Sequence, residues 1–247
     1  MKNFLPSALL FILLAGCKNA GETVPEETNI PSVETNLVIV TVETQKIVTI
    51  EAALLSQGLV DIRALDPSIV VKLAYSGTNN FMHHDAYGEL EKAFMVPEAA
   101  AMLTNAQAIL KESHPLYSLI VYDAARPNSV QWTMWEIVKD TPLAIYVADP
   151  GKGSLHNYGA AVDLSIVGPD GLPLDMGTPF DGFTDLSQPK YEEKFLKQNL
   201  LSHTQLSNRL LLREVMTKAG FLVIPNEWWH FNAFPKDVIK KKFKMIQ

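Results

Sequence analysis

Two short, separated segments carry the residue types that metal-assisted hydrolysis needs: Ser154-Leu-His156-Asn-Tyr-Gly159-Ala-Ala-Val-Asp163 and Glu227-Trp-Trp-His230. Together they offer two imidazoles, one carboxylate ligand and one spare carboxylate. Catalytic zinc takes three protein ligands and keeps a fourth position open for water. His156, Asp163 and His230 are the candidate ligands, which makes one Zn2+ per chain the expected cofactor. The same donors also suit iron, cobalt or nickel. Glu227, three residues before His230, is the candidate base. A carboxylate beside the attacking water can take its proton and deliver it to a leaving amine. The implied chemistry is amide hydrolysis without a covalent intermediate. His-x6-Asp and Glu-x-x-His are each common patterns, and only their combination is informative.

Such residues need rigid elements beneath them. Ala161–Val167 reads as a strand in which Val162, Leu164 and Ile166 face the core and Asp163 and Ser165 face the other way. Asn157-Tyr-Gly159 predicts a bend that turns His156 back toward Asp163. Tyr117–Tyr122 reads as a short apolar strand that delivers Asp123-Ala-Ala-Arg126-Pro127 at its end. Ile69–Tyr75 and Phe221–Ile224 are further expected strands, and Pro225-Asn226 breaks the latter before the Glu227 turn. Helices are expected over Pro97–Ser113, with Pro97 in the first turn, over Ser129–Val138, and over Leu206–Ala219, with Gly220 as the stop. Helices and strands do not alternate as βαβ units. The expected class is therefore α+β: a single compact domain with a central, mainly antiparallel sheet flanked by helices and the zinc site on the sheet.

The chain has 247 residues, enough for one well-buried domain plus an appendage. Its net charge of −6 gives no basic footprint, which argues against a nucleic-acid partner. Residues 1–17 read as a secretory signal: Lys2, an apolar run from Phe4 to Leu14, then Leu14-Ala15-Gly16-Cys17, which resembles a bacterial lipobox. Cys17 is the lone cysteine, so it is the candidate lipidation site and no internal disulfide is possible. This predicts a membrane-anchored lipoprotein of the cell envelope, facing the periplasm or exterior. Residues 18–58 read as a tether and N-terminal extension, in which Leu37–Ile50 is either a strand or an extended linker. Residues 59–247 are the expected catalytic domain.

The segments Leu73-Ala-Tyr75, Asn80-Phe81, Tyr122-Asp-Ala-Ala-Arg126-Pro127, Ser154 to Leu164, Asp175-Met-Gly-Thr178-Pro-Phe-Asp181 and Glu227-Trp-Trp-His230-Phe follow one another in an order that resembles the D-alanyl-D-alanine dipeptidases of the VanX type. These belong to the zinc D,D-peptidase group, peptidase family M15. The resemblance covers roughly Leu59 to the C-terminus. It implies zinc on His156, Asp163 and His230, Glu227 as general base, and Arg126 as the group that stabilises the oxyanion. A guanidinium aimed at developing negative charge favours the transition state over the neutral carbonyl. The implied reaction is hydrolysis of D-Ala-D-Ala to two D-alanines. Tyr75 and Ser154 are candidates to bind the substrate termini, although Ser154 can equally orient the loop before His156. Asp175 is the candidate for the substrate ammonium or, alternatively, a turn residue near Gly177. Asp181 reads as structural. The expected partners are a small dipeptide and, through Cys17, a membrane; no protein partner is implied. The alternatives are a zinc D,D-carboxypeptidase that trims peptidoglycan stem peptides and a non-catalytic, wall-binding lipoprotein.

Overall fold

The computed structural model describes residues 49–247. The expected signal, the lipobox with Cys17 and most of the Leu37–Ile50 segment lie outside the described residues. Within it, Thr49 caps and Ile50 opens a helix, α1 (Ile50–Ser56), whose Leu54 is fully buried. This helix sits before the expected start of the compact domain at residue 59.

The α+β architecture is as expected. Strand β1 (Val60–Asp61) leads through a single turn, α2 (Ile62–Leu65), to β2 (Val70–Val71). After a long loop come β3 (Phe94–Met95), which pairs antiparallel with β1, and helix α3 (Pro97–Ser113). Then follow β4 (Ser118–Asp123), α4 (Asn128–Val138) and β5 (Ala161–Val167). The chain ends with α5 (Glu192–Lys197), α6 (His203–Lys218), β6 (Leu222–Val223), β7 (His230–Asn232) and α7 (Lys236–Lys242). The main sheet has the order β2-β4-β5-β7-β6; only the β2–β4 pair is parallel.

Helix α3 forms because Pro97 presets the first turn and Ala99, Ala100, Leu103, Ala106 and Leu110 recur at helical spacing on one buried face. That face packs beside α6 and against Leu119, Val162, Leu164 and Ile166 of the sheet, and each fully buried Leu contributes about 1.5–3 kcal/mol. A second apolar cluster lies under α4, where Val130, Met134 and Val138 meet Leu54, Tyr75 and Tyr87. The expected strand over Ile69–Tyr75 is formally only two residues long. Its continuation still follows β4, with Lys72 N donating to Val121 O and Ala74 N to Tyr122 O, before the chain turns away at Tyr75.

Strand β5 is buried along its whole length between β4 and β7. In β4 the register shifts between Val121 and Asp123, so that Val121 faces Leu164 and Asp123 faces Asp163. The extra residue bends the strand at its end. It brings Asp123, and with it Arg126, beside Asp163.

Candidate metal centre and substrate cavity

His156, Asp163 and His230 come together from three elements. Asp163 is on β5, and His230 is its register partner at the start of β7. His156 lies in one tight helical turn, Leu155–Tyr158, just before β5. Ser154 Oγ accepts from His156 N at 3.4 Å, Ser154 N donates to Asn157 Oδ1 at 2.7 Å, and Asn157 Nδ2 donates to Arg126 O at 2.8 Å. Gly159 ends the turn in the left-handed region, at φ 63°. The bend expected at Asn157-Tyr-Gly159 thus takes the form of a capped turn.

The donor atoms are spaced as a tetrahedral ion requires. Ligands held about 2.0–2.1 Å from zinc lie roughly 3.3 Å from one another. Here His156 Nε2 is 3.2 Å from His230 Nδ1 and 3.4 Å from Asp163 Oδ1, and His230 Nδ1 is 2.9 Å from Asp163 Oδ1. Each ring is fixed by its remote nitrogen: His156 Nδ1 lies 2.8 Å from Ala124 O, and His230 Nε2 lies 2.8 Å from Asn232 Oδ1. Metal-binding imidazoles are oriented in this way. Burial alone would lower the pKa of His230, yet its hydrogen bond and charge contact with Asp163, together with Glu227, push it up to about 9. Burial would raise Asp163, but the two imidazoles hold its carboxyl well below the ordinary range. The cluster therefore favours a positive charge at its centre.

Glu227 Oε2 lies 4.0 Å from His230 Nδ1, close to the donor set but beyond a direct hydrogen bond. Burial raises its carboxyl, and the charges of His230, His156 and Arg126 oppose that rise. Arg126 is buried. Its Nε donates to Asp123 Oδ2 at 2.9 Å, its Nη2 pairs with the same oxygen, and its Nη1 donates to Gln131 Oε1 at 2.8 Å. The guanidinium lies 5.4 Å from the Tyr75 ring centre and 4.0 Å from Asp163 Oδ2. Three of its five N–H groups are thus committed, and the residue lines the cavity.

That cavity encloses about 180 Å³ and is lined by the three donors, Glu227, Arg126 and, beyond them, Tyr75, Ser154 and Asp181. It is smaller than a drug-sized pocket and suits a very small ligand. Phe81, Phe183 and Tyr146 form its aromatic rim, with Tyr146 stacked on Phe183 at 4.8 Å and Phe81 edge-on to it at 5.2 Å. Tyr75 and Ser154, the expected substrate-binding residues, both line the cavity, and Ser154 also caps the His156 turn.

Asp175 is elsewhere. It is exposed, accepts from Gly177 N at 2.8 Å and from Gln205 Nε2 at 2.9 Å, and does not line the cavity. Its turn-forming alternative is the one that the geometry displays. The carboxylate of this segment that lines the cavity is instead Asp181, which accepts from Tyr75 Oη at 3.0 Å. Burial raises its pKa well above the ordinary value, the charge of Asp163 adds to this, and the Tyr75 hydrogen bond opposes it. Such a group gains from a cationic partner. The sequence signal for it was the second carboxylate of the Asp175 to Asp181 segment.

Residues 55–247 match a peptidase family, Peptidase_M15, described as D-Ala-D-Ala dipeptidase. The chain is 31% identical over 173 residues to the D-alanyl-D-alanine dipeptidase of Escherichia coli strain K12, covering 70% of this chain and 83% of that one. It is 31% identical over 160 residues to the D-alanyl-D-alanine dipeptidase of Synechocystis, covering 53% and 65%. Against the Enterococcus faecium enzyme of the same name the identity is 35% over 131 residues, covering 47% and 61%. The expectation of a membrane-anchored envelope lipoprotein is corrected here: the relatives are D-alanyl-D-alanine dipeptidases, and no helix among the described residues is long and apolar enough to cross a membrane.

Proposed function

The chain belongs to the D-Ala-D-Ala dipeptidase family of metallopeptidases, and we propose that it hydrolyses the dipeptide D-Ala-D-Ala to two D-alanines at a zinc ion. The observation that carries this reading is the tetrahedral spacing of the His156, Asp163 and His230 donors in a small cavity that also holds Glu227, Arg126 and Asp181. His156 Nε2, Asp163 Oδ1 and His230 Nδ1 would hold the metal. When bound, it polarises the scissile carbonyl and acidifies water.

The side chains then have distinct work. Asp181, braced by Tyr75, takes the substrate ammonium and fixes the amino end. Glu227 removes a proton from the attacking water as the water oxygen bonds to the carbonyl carbon. The carbonyl oxygen gains negative charge, which the Arg126 guanidinium stabilises from a position already set by Asp123 and Gln131. Glu227 returns the proton to the amide nitrogen, the C–N bond breaks, and two alanines leave. Ser154 hydrogen-bonds a substrate terminus, a role that its position in the cavity lining supports.

Asp181 at the amino end favours a dipeptidase over a carboxypeptidase, because an acylated amine offers no charge to it. The test is release of D-alanine from D-Ala-D-Ala by the zinc-loaded protein, with N-acetyl-D-Ala-D-Ala in parallel. Cleavage of the free dipeptide alone is expected. Equal cleavage of the acetylated compound would move the assignment to a carboxypeptidase, and cleavage of neither would refute the D-Ala-D-Ala assignment.

A further inference from the structure

The loop that carries Asp181 and the turn that carries Glu227 share one chain of hydrogen bonds. Trp228 Nε1 lies 2.9 Å from Thr178 Oγ1, Thr178 Oγ1 lies 3.0 Å from Ser187 Oγ, and Ser187 Oγ bonds the carbonyl oxygen of Gly182. An indole N–H only donates, a carbonyl only accepts, and a hydroxyl rotates to suit. The two ends therefore set the direction. Trp228 donates to Thr178, Thr178 to Ser187, and Ser187 to Gly182. No other hydroxyl orientation satisfies all three contacts.

The ends of this chain are informative. Trp228 follows Glu227 directly, and Gly182 follows Asp181 directly. The backbone adds a parallel tie, with Trp228 N donating to Ser187 O at 3.1 Å. Buried Arg209 pins both ends of the same loop, donating from Nε to Met176 O at 2.6 Å and from Nη1 to Leu186 O at 3.0 Å. Between these anchors Asp181 has φ 56°, a conformation that a non-glycine residue keeps only when its surroundings impose it.

We propose that Thr178 and Ser187 are positioning residues for dipeptide recognition. Their hydroxyl chain fixes the separation between the carboxylate that takes the substrate ammonium and the carboxylate that moves the proton. The site thereby measures one residue from the free amine to the scissile bond. This inference rests on the dipeptidase reading above.

The test uses the zinc-loaded full chain with D-Ala-D-Ala. Thr178→Val keeps the shape and removes both hydrogen bonds. It should raise KM roughly tenfold, the scale of one or two lost hydrogen bonds, and leave kcat within about twofold. Thr178→Ser should restore KM. Because Thr178 acts through Asp181, Thr178→Val placed in an Asp181→Asn background should add no further rise in KM. Should Thr178→Val not fold, Ser187→Ala enters the same cycle. A variant with a lowered Tm and unchanged KM, or an equal rise in KM in the Asp181→Asn background, would overturn the proposal and leave the dipeptidase reading intact. No cleavage by the unmodified holoenzyme would sink both.

Discussion

Glu227 and Asp163 are carboxylates among the same imidazoles, yet their surroundings drive them apart. Asp163 is held ionised by direct contacts with both rings, whereas burial raises Glu227, which makes no direct hydrogen bond to them. Separation of this kind sorts a ligand from a proton carrier. Replacing Glu227 by Gln preserves size and removes the base. Turnover should fall by about 10²–10⁴-fold while metal content per chain stays at one, as read by elemental analysis of the purified variant. Retained turnover would remove Glu227 from the mechanism. At this scale the sequence was most legible where chemistry-bearing residues share one short segment, as they do in Ser154 to Asp163 and Glu227 to His230. It was least legible at Asp181, whose significance comes from a left-handed turn that folds it against Tyr75, 106 residues away. Asp175 carries the same charge six residues earlier, but its carboxylate is spent on Gly177 N and Gln205.

Among the elements, the turn before β5 does the most positioning for its length. Gly159 must accept φ 63°, and a Cβ there would meet Leu59 Cδ2 at 2.9 Å and Val96 N at 3.3 Å. Gly159→Ala should therefore destabilise the fold by about 1–3 kcal/mol in urea denaturation, from the backbone conformation alone. Because the turn also carries His156, metal affinity should fall in parallel. An alanine variant with unchanged midpoint and affinity would mean that the turn tolerates another geometry. The alternation that placed Asp163 opposite Val162 and Leu164 was readable because strand side chains have a period of two. The bulge at the end of β4 was not readable, since Val-Tyr-Asp looks like an uninterrupted strand and only the pairing with β5 exposes the extra residue. The hydroxyl chain from Trp228 was hidden for a related reason: the pair of tryptophans reads as packing, and the indole nitrogen finds its acceptor 50 positions away.

For the whole molecule, the charges at the metal centre couple stability to pH. Asp163 has a depressed pKa in the fold, so its contribution is present above its ordinary value of 3.8 and is lost as pH falls below it. His230 has a raised pKa, so its contribution is complete below 6.5 and is lost as pH climbs through about 9. The metal-free protein should be steadiest between these limits and weaken on the alkaline side. A bound divalent ion supplies the same positive charge without titrating away, and protons compete with it less as pH rises. The Tm difference between zinc-loaded and metal-free protein should therefore widen from about pH 6 to about pH 9, as measured by calorimetry. A constant difference would mean that the imidazolium does not stand in for the metal. The ends of the main sheet have a separate consequence. Its outer strands, β2 and β6, are only two residues long, whereas the strand bearing Asp163 lies in the interior. The β6 border offers a neighbouring copy almost no backbone to zip onto, and the β2 border, which continues along β4 to Ala74, carries the charged Lys72 in its extension, so both rims discourage edge-to-edge pairing.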